Sequence, residues 1–145
     1  MYFVDRGQIE AILNYMDQLL EEVGKHSFTT FAEKLYLERT VHLTIESMLD
    51  VGNMMIDGFI MRDPGGFEDI IDILIDEEVL PENEEEAYKT VIRLRKMVVK
   101  DYLHVDYQQL IDTLQQHQDT LAQFSSHVRH YLDTELGVAN AFSNE

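Results

Sequence analysis

Apolar residues recur three and four positions apart along most of this chain, and no stretch alternates apolar with polar long enough to make a strand. That period admits one class of fold, a packing of amphipathic helices. The first stripe is Ile9, Ile12, Leu13, Met16, Leu19, Leu20 and Val23, with Asp5 suited to an N-cap and Gly24 to a stop. A long second helix, from about Thr30 to Ile60, gathers Val41, Ile45, Met48, Leu49, Gly52, Met55, Ile56 and Phe59 on one face. Asp63-Pro64-Gly65-Gly66 reads as a turn. A short third helix follows, with Phe67, Ile70, Ile71, Leu74 and Ile75 inward, and it ends before Pro81. The fourth runs from about Glu82 to Tyr102 and the fifth from about Asp106 to Leu136. Along the fifth, Leu110, Leu114, His117, Leu121, Phe124, Val128 and Tyr131 form the stripe.

Short connections between these helices favour antiparallel neighbours. The expected fold is therefore an all-α, up-and-down antiparallel bundle of about five helices, one domain over residues 1–136, with 137–145 a loose tail. A chain of 145 residues can bury about 68–70% of its unfolded surface, enough to hold a core without staples. It has no cysteine, which removes disulfides, thiolate metal sites and cysteine nucleophiles and suits a reducing compartment. The N-terminus lacks the basic stretch and apolar run of a signal peptide, and no window reaches the ~20 apolar residues that span a bilayer. A cytoplasmic protein with no membrane partner is expected.

Acids outnumber Lys and Arg by 28 to 11, a formal net charge of −17. Such a surface as a whole repels phosphate backbones, so any anion must dock on a local patch. Three polar features bear on that. On the second helix Arg39, His42, Glu46, Asp50, Asn53 and Asp57 share one sector opposite the apolar face. They read as a solvated face with i,i+3 and i,i+4 pairs, or as one wall of a polar groove. The sector lacks a His-x-x-x-His or Glu-x-x-His pair, and no metal or other cofactor is expected.

On the fourth helix, Arg95 falls amid the apolar face of Tyr88, Val91, Val98, Val99 and Tyr102. A guanidinium there needs a partner. It reads as a structural ion pair, with Glu46 or Asp50 the leading candidates, or as a cation at a dimer seam or in a cleft. On the same helix Lys89, Arg93, Lys96 and Lys100 step by four, three and four. They either complement the macrodipole, with Glu82, Glu84, Glu85 and Glu86 at its start, or offer a strip for RNA phosphate.

The stretch Lys100-Asp101-Tyr102-Leu103-His104-Val105-Asp106-Tyr107 resembles the signature of the HepT-like toxins, a branch of the HEPN superfamily. The resemblance extends over most of the chain. It takes in Thr44–Val51, the turn and short helix from Pro64 to Leu80, Leu94-Arg95-Lys96-Met97-Val98, and Phe124-Ser125-Ser126-His127-Val128-Arg129. The family signature is Arg-Asn-x-Leu-x-His-x-Tyr. Its arginine and histidine form the centre of a metal-independent ribonuclease, and its tyrosine receives AMP from a partner nucleotidyltransferase, the antitoxin. Read without a gap from Lys100, Leu103 and Tyr107 match. Lys100 replaces the arginine, Asp101 the asparagine and Val105 the histidine. His104 stands one position early, turned by about 100° on a regular helix, so that only an unwound helix end or a bulge aims it at the same cleft.

What the resemblance implies is a toxin-type ribonuclease working as a homodimer, weakened by these departures. His104 would act as general acid–base, with Lys100 and Arg95 neutralising phosphate. Tyr107 would be the AMP acceptor, with Asp101, Glu46 and Asp50 supporting a polar groove and Lys89, Arg93 and Lys96 on the RNA backbone. The dimer seam would lie on the fourth helix around Tyr88, Val91, Val98 and Tyr102. The alternative is a non-catalytic dimeric helical module that engages a nucleotidyltransferase or another protein.

Overall fold

The computed structural model describes residues 4–143, with side chains over 4–136. Among these residues there is no strand. Helix α1 (Arg6–Val23) starts where Asp5 accepts the Gln8 amide at 3.0 Å and buries Ile9, Leu13, Met16, Leu20 and Val23. Helix α2 (Phe31–Gly58) opens on a capping box: Thr30 accepts the Glu33 amide, and Glu33 accepts the Thr30 amide in return. The Thr30 amide, the Ser27 hydroxyl and the Thr29 amide hold the Glu33 carboxyl down at about 2.

The expected apolar face of α2 is buried throughout. Gly52 is required there by a close approach, since a Cβ on it would stand 2.4 Å from Ile70 Cγ2. The helix ends with Ile60 in the left-handed region at φ 56°, while the Met61 amide returns to the Ile56 carbonyl at 2.9 Å.

Helix α3 (Phe67–Asp76) packs on α2 and on α4 (Glu85–Arg93), which a 3-10 turn over Glu82–Glu84 precedes. Contact on two sides rotates its buried face from the expected one. Ile73 is fully buried beside Ile70, Ile71 and Leu74, Ile75 is only partly covered, and Phe67 is half exposed.

The single fourth helix expected from the sequence is in fact broken at Leu94. Helix α5 (Arg95–Val99) restarts beyond it and ends where the Lys100 and Asp101 amides both return to the Lys96 carbonyl. Tyr102 to His104 form a turn, tied by the His104 amide to the Asp101 carbonyl at 2.9 Å. The expected helical continuation through Tyr102 is therefore absent.

Asp106 caps helix α6 (Tyr107–Ser143) by accepting the Gln109 amide at 3.1 Å. This helix passes the expected end at Leu136. The expected tail, residues 137–145, has a helical backbone through Ser143, its side chains lie outside the described ones, and residues 144–145 lie outside altogether.

α1 packs against α2 and α6, α4 against α6, and α5 against α2, around one contiguous apolar core. Tyr88 and Val91 have no exposed surface, so they belong to this core and are unavailable for the expected dimer seam. No described helix is long and apolar enough to cross a membrane.

Candidate functional site

The turn before α3 and the start of α5 enclose a cleft of about 650 Å3. Gly65, Gly66, Phe67, Glu68 and Asp69 line one side, and Arg93, Arg95, Lys96 and Lys100 the other. The α3 side is held by Asp69, whose carboxylate accepts the Gly65 amide at 2.8 Å and two guanidinium bonds from Arg62 at 2.8 and 3.0 Å. Arg62 first, and then the Gly65 amide, bring the Asp69 carboxyl down to about 2. Gly66 carries no capping side chain, and Glu68 and Asp69 in the first turn of α3 complement the positive end of its dipole.

Arg95 is the fixed point of the opposite wall. Its Nε donates to Glu46 Oε1 at 2.7 Å, and its guanidinium lies 4.6 Å from the centre of the Phe67 ring. The partner expected from the wheel is thus Glu46. Asp50 makes no ion pair among the described residues, and desolvation followed by the charge of Glu46 raises its carboxyl above the ordinary value. His42 Nε2 stands 3.6 Å from Glu46, and Arg39 Nη1 3.4 Å from His42 Nδ1, and within the polar sector on α2 it is Glu46 that contacts Arg95.

The basic strip divides. Lys96 is 79% exposed, with Asp101 at 3.7 Å, and Lys100 is exposed with no ion pair among the described residues. Arg93 donates to Glu68 at 2.8 Å and depresses its carboxyl. Lys89 lies outside the cleft, bound to Asp72 at 2.6 Å and Glu85 at 3.3 Å. Its ammonium ties α4 to α3, apart from the cations that line the cleft.

His104 does not line the cleft; it is exposed on the turn after α5. Val105, the next residue, packs against the core. Tyr107 is also elsewhere: its hydroxyl donates to Glu38 at 2.7 Å, which raises its pKa, and its ring lies under Lys34 Nζ at 5.2 Å. Asp101 contributes through Lys96 rather than by facing the cleft.

Sequence reading missed Phe67, because an aromatic at a helix start reads as core. It also missed the exposure of Tyr102, 64%, because the helix was taken to continue.

A helical bundle with a cationic cleft at its α3–α5 edge is the class of protein defined here, and it is the class of the HEPN-like fold. Residues 9–128 match the family model "Ribonuclease HepT-like". The chain belongs to that family. It is 46% identical over 143 residues to the Bacillus subtilis (strain 168) protein named "Putative RNase YutE", spanning 98% of this chain and 99% of that one. The solved structure of YutE from Bacillus subtilis, described as a cytosolic protein of unknown function, superposes with a TM-score of 0.92 at 45% identity. That match covers 94% of this chain and 96% of the other. A crystal structure of a toxin–antitoxin with AMP-PNP shares the fold, with a TM-score of 0.70 at 16% identity over 84% of this chain and 94% of the other.

Proposed function

We propose that this chain is a cytoplasmic, toxin-type ribonuclease whose α3–α5 cleft holds an RNA phosphate. One observation carries the reading: in a chain of net charge −17, four cations line one cleft, while its two acids, Glu68 and Asp69, are already bound by Arg93 and Arg62. Read from Arg95 instead of Lys100, the family signature matches at Arg95 and Tyr102 and sets Lys100 in the histidine's place. Arg95, oriented by Glu46, and Lys100 then neutralise the phosphate as charge develops on it. A lysine ammonium has no lone pair with which to take a proton. The proton on the ribose 2′-hydroxyl is therefore left to His104, on the exposed turn four positions beyond Lys100.

A nucleotidyltransferase antitoxin is the proposed partner, supported by the family and by a fold shared with a protein solved as a toxin–antitoxin with AMP-PNP. In the register from Arg95 the AMP acceptor is Tyr102, exposed on the turn that follows α5. Tyr107 is less accessible, partly buried with its hydroxyl bound to Glu38. A homodimer is proposed with its seam off the buried Tyr88–Val91 face, where the exposed Phe31, Leu35 and Leu103 supply apolar surface.

A second reading, the non-catalytic binding module, is favoured by the cleft itself: none of its lining residues is a histidine. Incubating the purified protein with single-stranded RNA separates the two. Weak cleavage is expected, lost in His104→Ala and in Arg95→Ala. RNA bound but never cut establishes the binding module. No RNA binding at all overturns both the ribonuclease and the phosphate-holding cleft.

A further inference from the structure

We infer that Phe67 is a stacking platform for an unpaired nucleobase, which makes the cleft selective for single-stranded RNA. The inference rests on the phosphate-binding reading of the same cleft and adds the element that grips a base.

Phe67 is the first residue of α3, and half of its surface is exposed where the rest of its helix face is core. It lines the cleft beside Arg93, Arg95, Lys96 and Lys100. An exposed aromatic beside phosphate-sized positive charge is the combination by which proteins hold single strands: cations track the backbone while a ring takes a base.

The ring is also held in place. The Arg95 guanidinium lies over it at 4.6 Å, and Glu46 fixes that guanidinium from behind at 2.7 Å. One face of the ring is thereby occupied by a cation, and the exposure that remains belongs to the other face and the edge. Backbone at Gly65 and Gly66 carries no side chain above the ring's entry, and a Cβ at Gly66 would meet nothing within 4 Å, so the approach is open. A base paired in a duplex has no free face to offer such a ring, whereas a single-stranded or looped-out base does.

The test measures binding of short fluorescent RNAs to the full chain by anisotropy: a single strand, the same strand with one abasic position walked along it, and its duplex. The proteins compared are wild type, Phe67→Leu, Phe67→Tyr and, as a control outside the cleft, Tyr15→Ala, at an exposed aromatic of α1. Phe67→Leu keeps apolar cover over Arg95 while removing the ring, so a loss there is not a loss of fold, and circular dichroism confirms it. Removing one base–aromatic stack is expected to weaken single-strand binding by about 5- to 150-fold in Phe67→Leu. Phe67→Tyr, which keeps the ring, should restore the binding lost in Phe67→Leu, and Tyr15→Ala should bind as wild type does. One abasic position should weaken wild type by a similar factor and leave Phe67→Leu nearly indifferent. Equal affinity of wild type and Phe67→Leu for single strands, or equal affinity of wild type for single strand and duplex, overturns the inference while the phosphate-binding reading stands. Absence of RNA binding by every form overturns the phosphate reading, and this inference with it.

Discussion

Arg95 Nε donates to Glu46 Oε1 at 2.7 Å, joining α5 to the middle of α2 across 49 positions of sequence. The pair is three-quarters covered on the arginine side, and Phe67 closes over it. It couples the cationic wall of the cleft to the longest buried helix face of the described core.

Removing one partner leaves a charge half buried and unpaired. Glu46→Ala is expected to destabilise the chain by about 1–2 kcal/mol and Arg95→Ala by a similar amount. The double variant should lose less than the sum, with a coupling of about 1 kcal/mol in urea denaturation. Strict additivity would mean that the contact is not a stabilising one.

Gly52 permits the closest approach of α2 to α3. Alanine is the better helix former by ~1 kcal/mol, so propensity alone forecasts stabilisation by Gly52→Ala. The 2.4 Å approach to Ile70 forecasts overpacking at a cost of about 1–3 kcal/mol. A net fall in melting temperature is expected; a rise would show that α3 gives way freely.

Ile60 is a β-branched residue at φ 56°, 79% exposed, in the position where helices end on glycine. Ile60→Gly should stabilise the chain by about 1 kcal/mol through relief of that backbone conformation. Thermal unfolding checks it, and an unchanged or lower midpoint would contradict it.

The α3 entry is tuned to acid. Asp69 has its carboxyl depressed from 3.8 to about 2 by Arg62 and the Gly65 amide. A depressed acid contributes stability that is present above pH 3.8 and lost as pH falls through about 2. The turn carrying Gly65, Gly66 and Phe67 should therefore loosen between those values, seen as faster amide exchange at Gly65. Asp69→Asn should show that faster exchange at neutral pH and lose its dependence on acid.

Much of the fold was legible because the apolar stripes are continuous: α1 and α2 fall within two residues of their expected bounds, and Asp5 and Thr30 cap them. The break at Leu94 was not, since Leu94 keeps near-helical angles, φ −70° and ψ −15°, and its neighbours are good helix formers. That break carries the largest consequence for the site. The short α5 beyond it ends at Val99, which takes Tyr102 off the expected apolar face and leaves His104 on a turn. The Arg95–Glu46 pair was legible because a cation inside an apolar stripe demands an acid, and α2 offers one at that level. The commitment of Lys89 to Asp72 and of Arg93 to Glu68 was not, because those acids lie on α3, whose rotation only tertiary packing decides.

The most direct test of the phosphate-holding cleft is the salt dependence of single-stranded RNA binding by wild type and by Lys96→Ala/Lys100→Ala. Both lysines are exposed and far from saturated by acids, so the double variant should fold as wild type does. Each phosphate contact contributes a slope of about −0.7 in log K against log salt, so the double variant should flatten the slope by about 1.4 and bind all single strands more weakly. An unchanged slope and affinity would place the RNA elsewhere on the molecule.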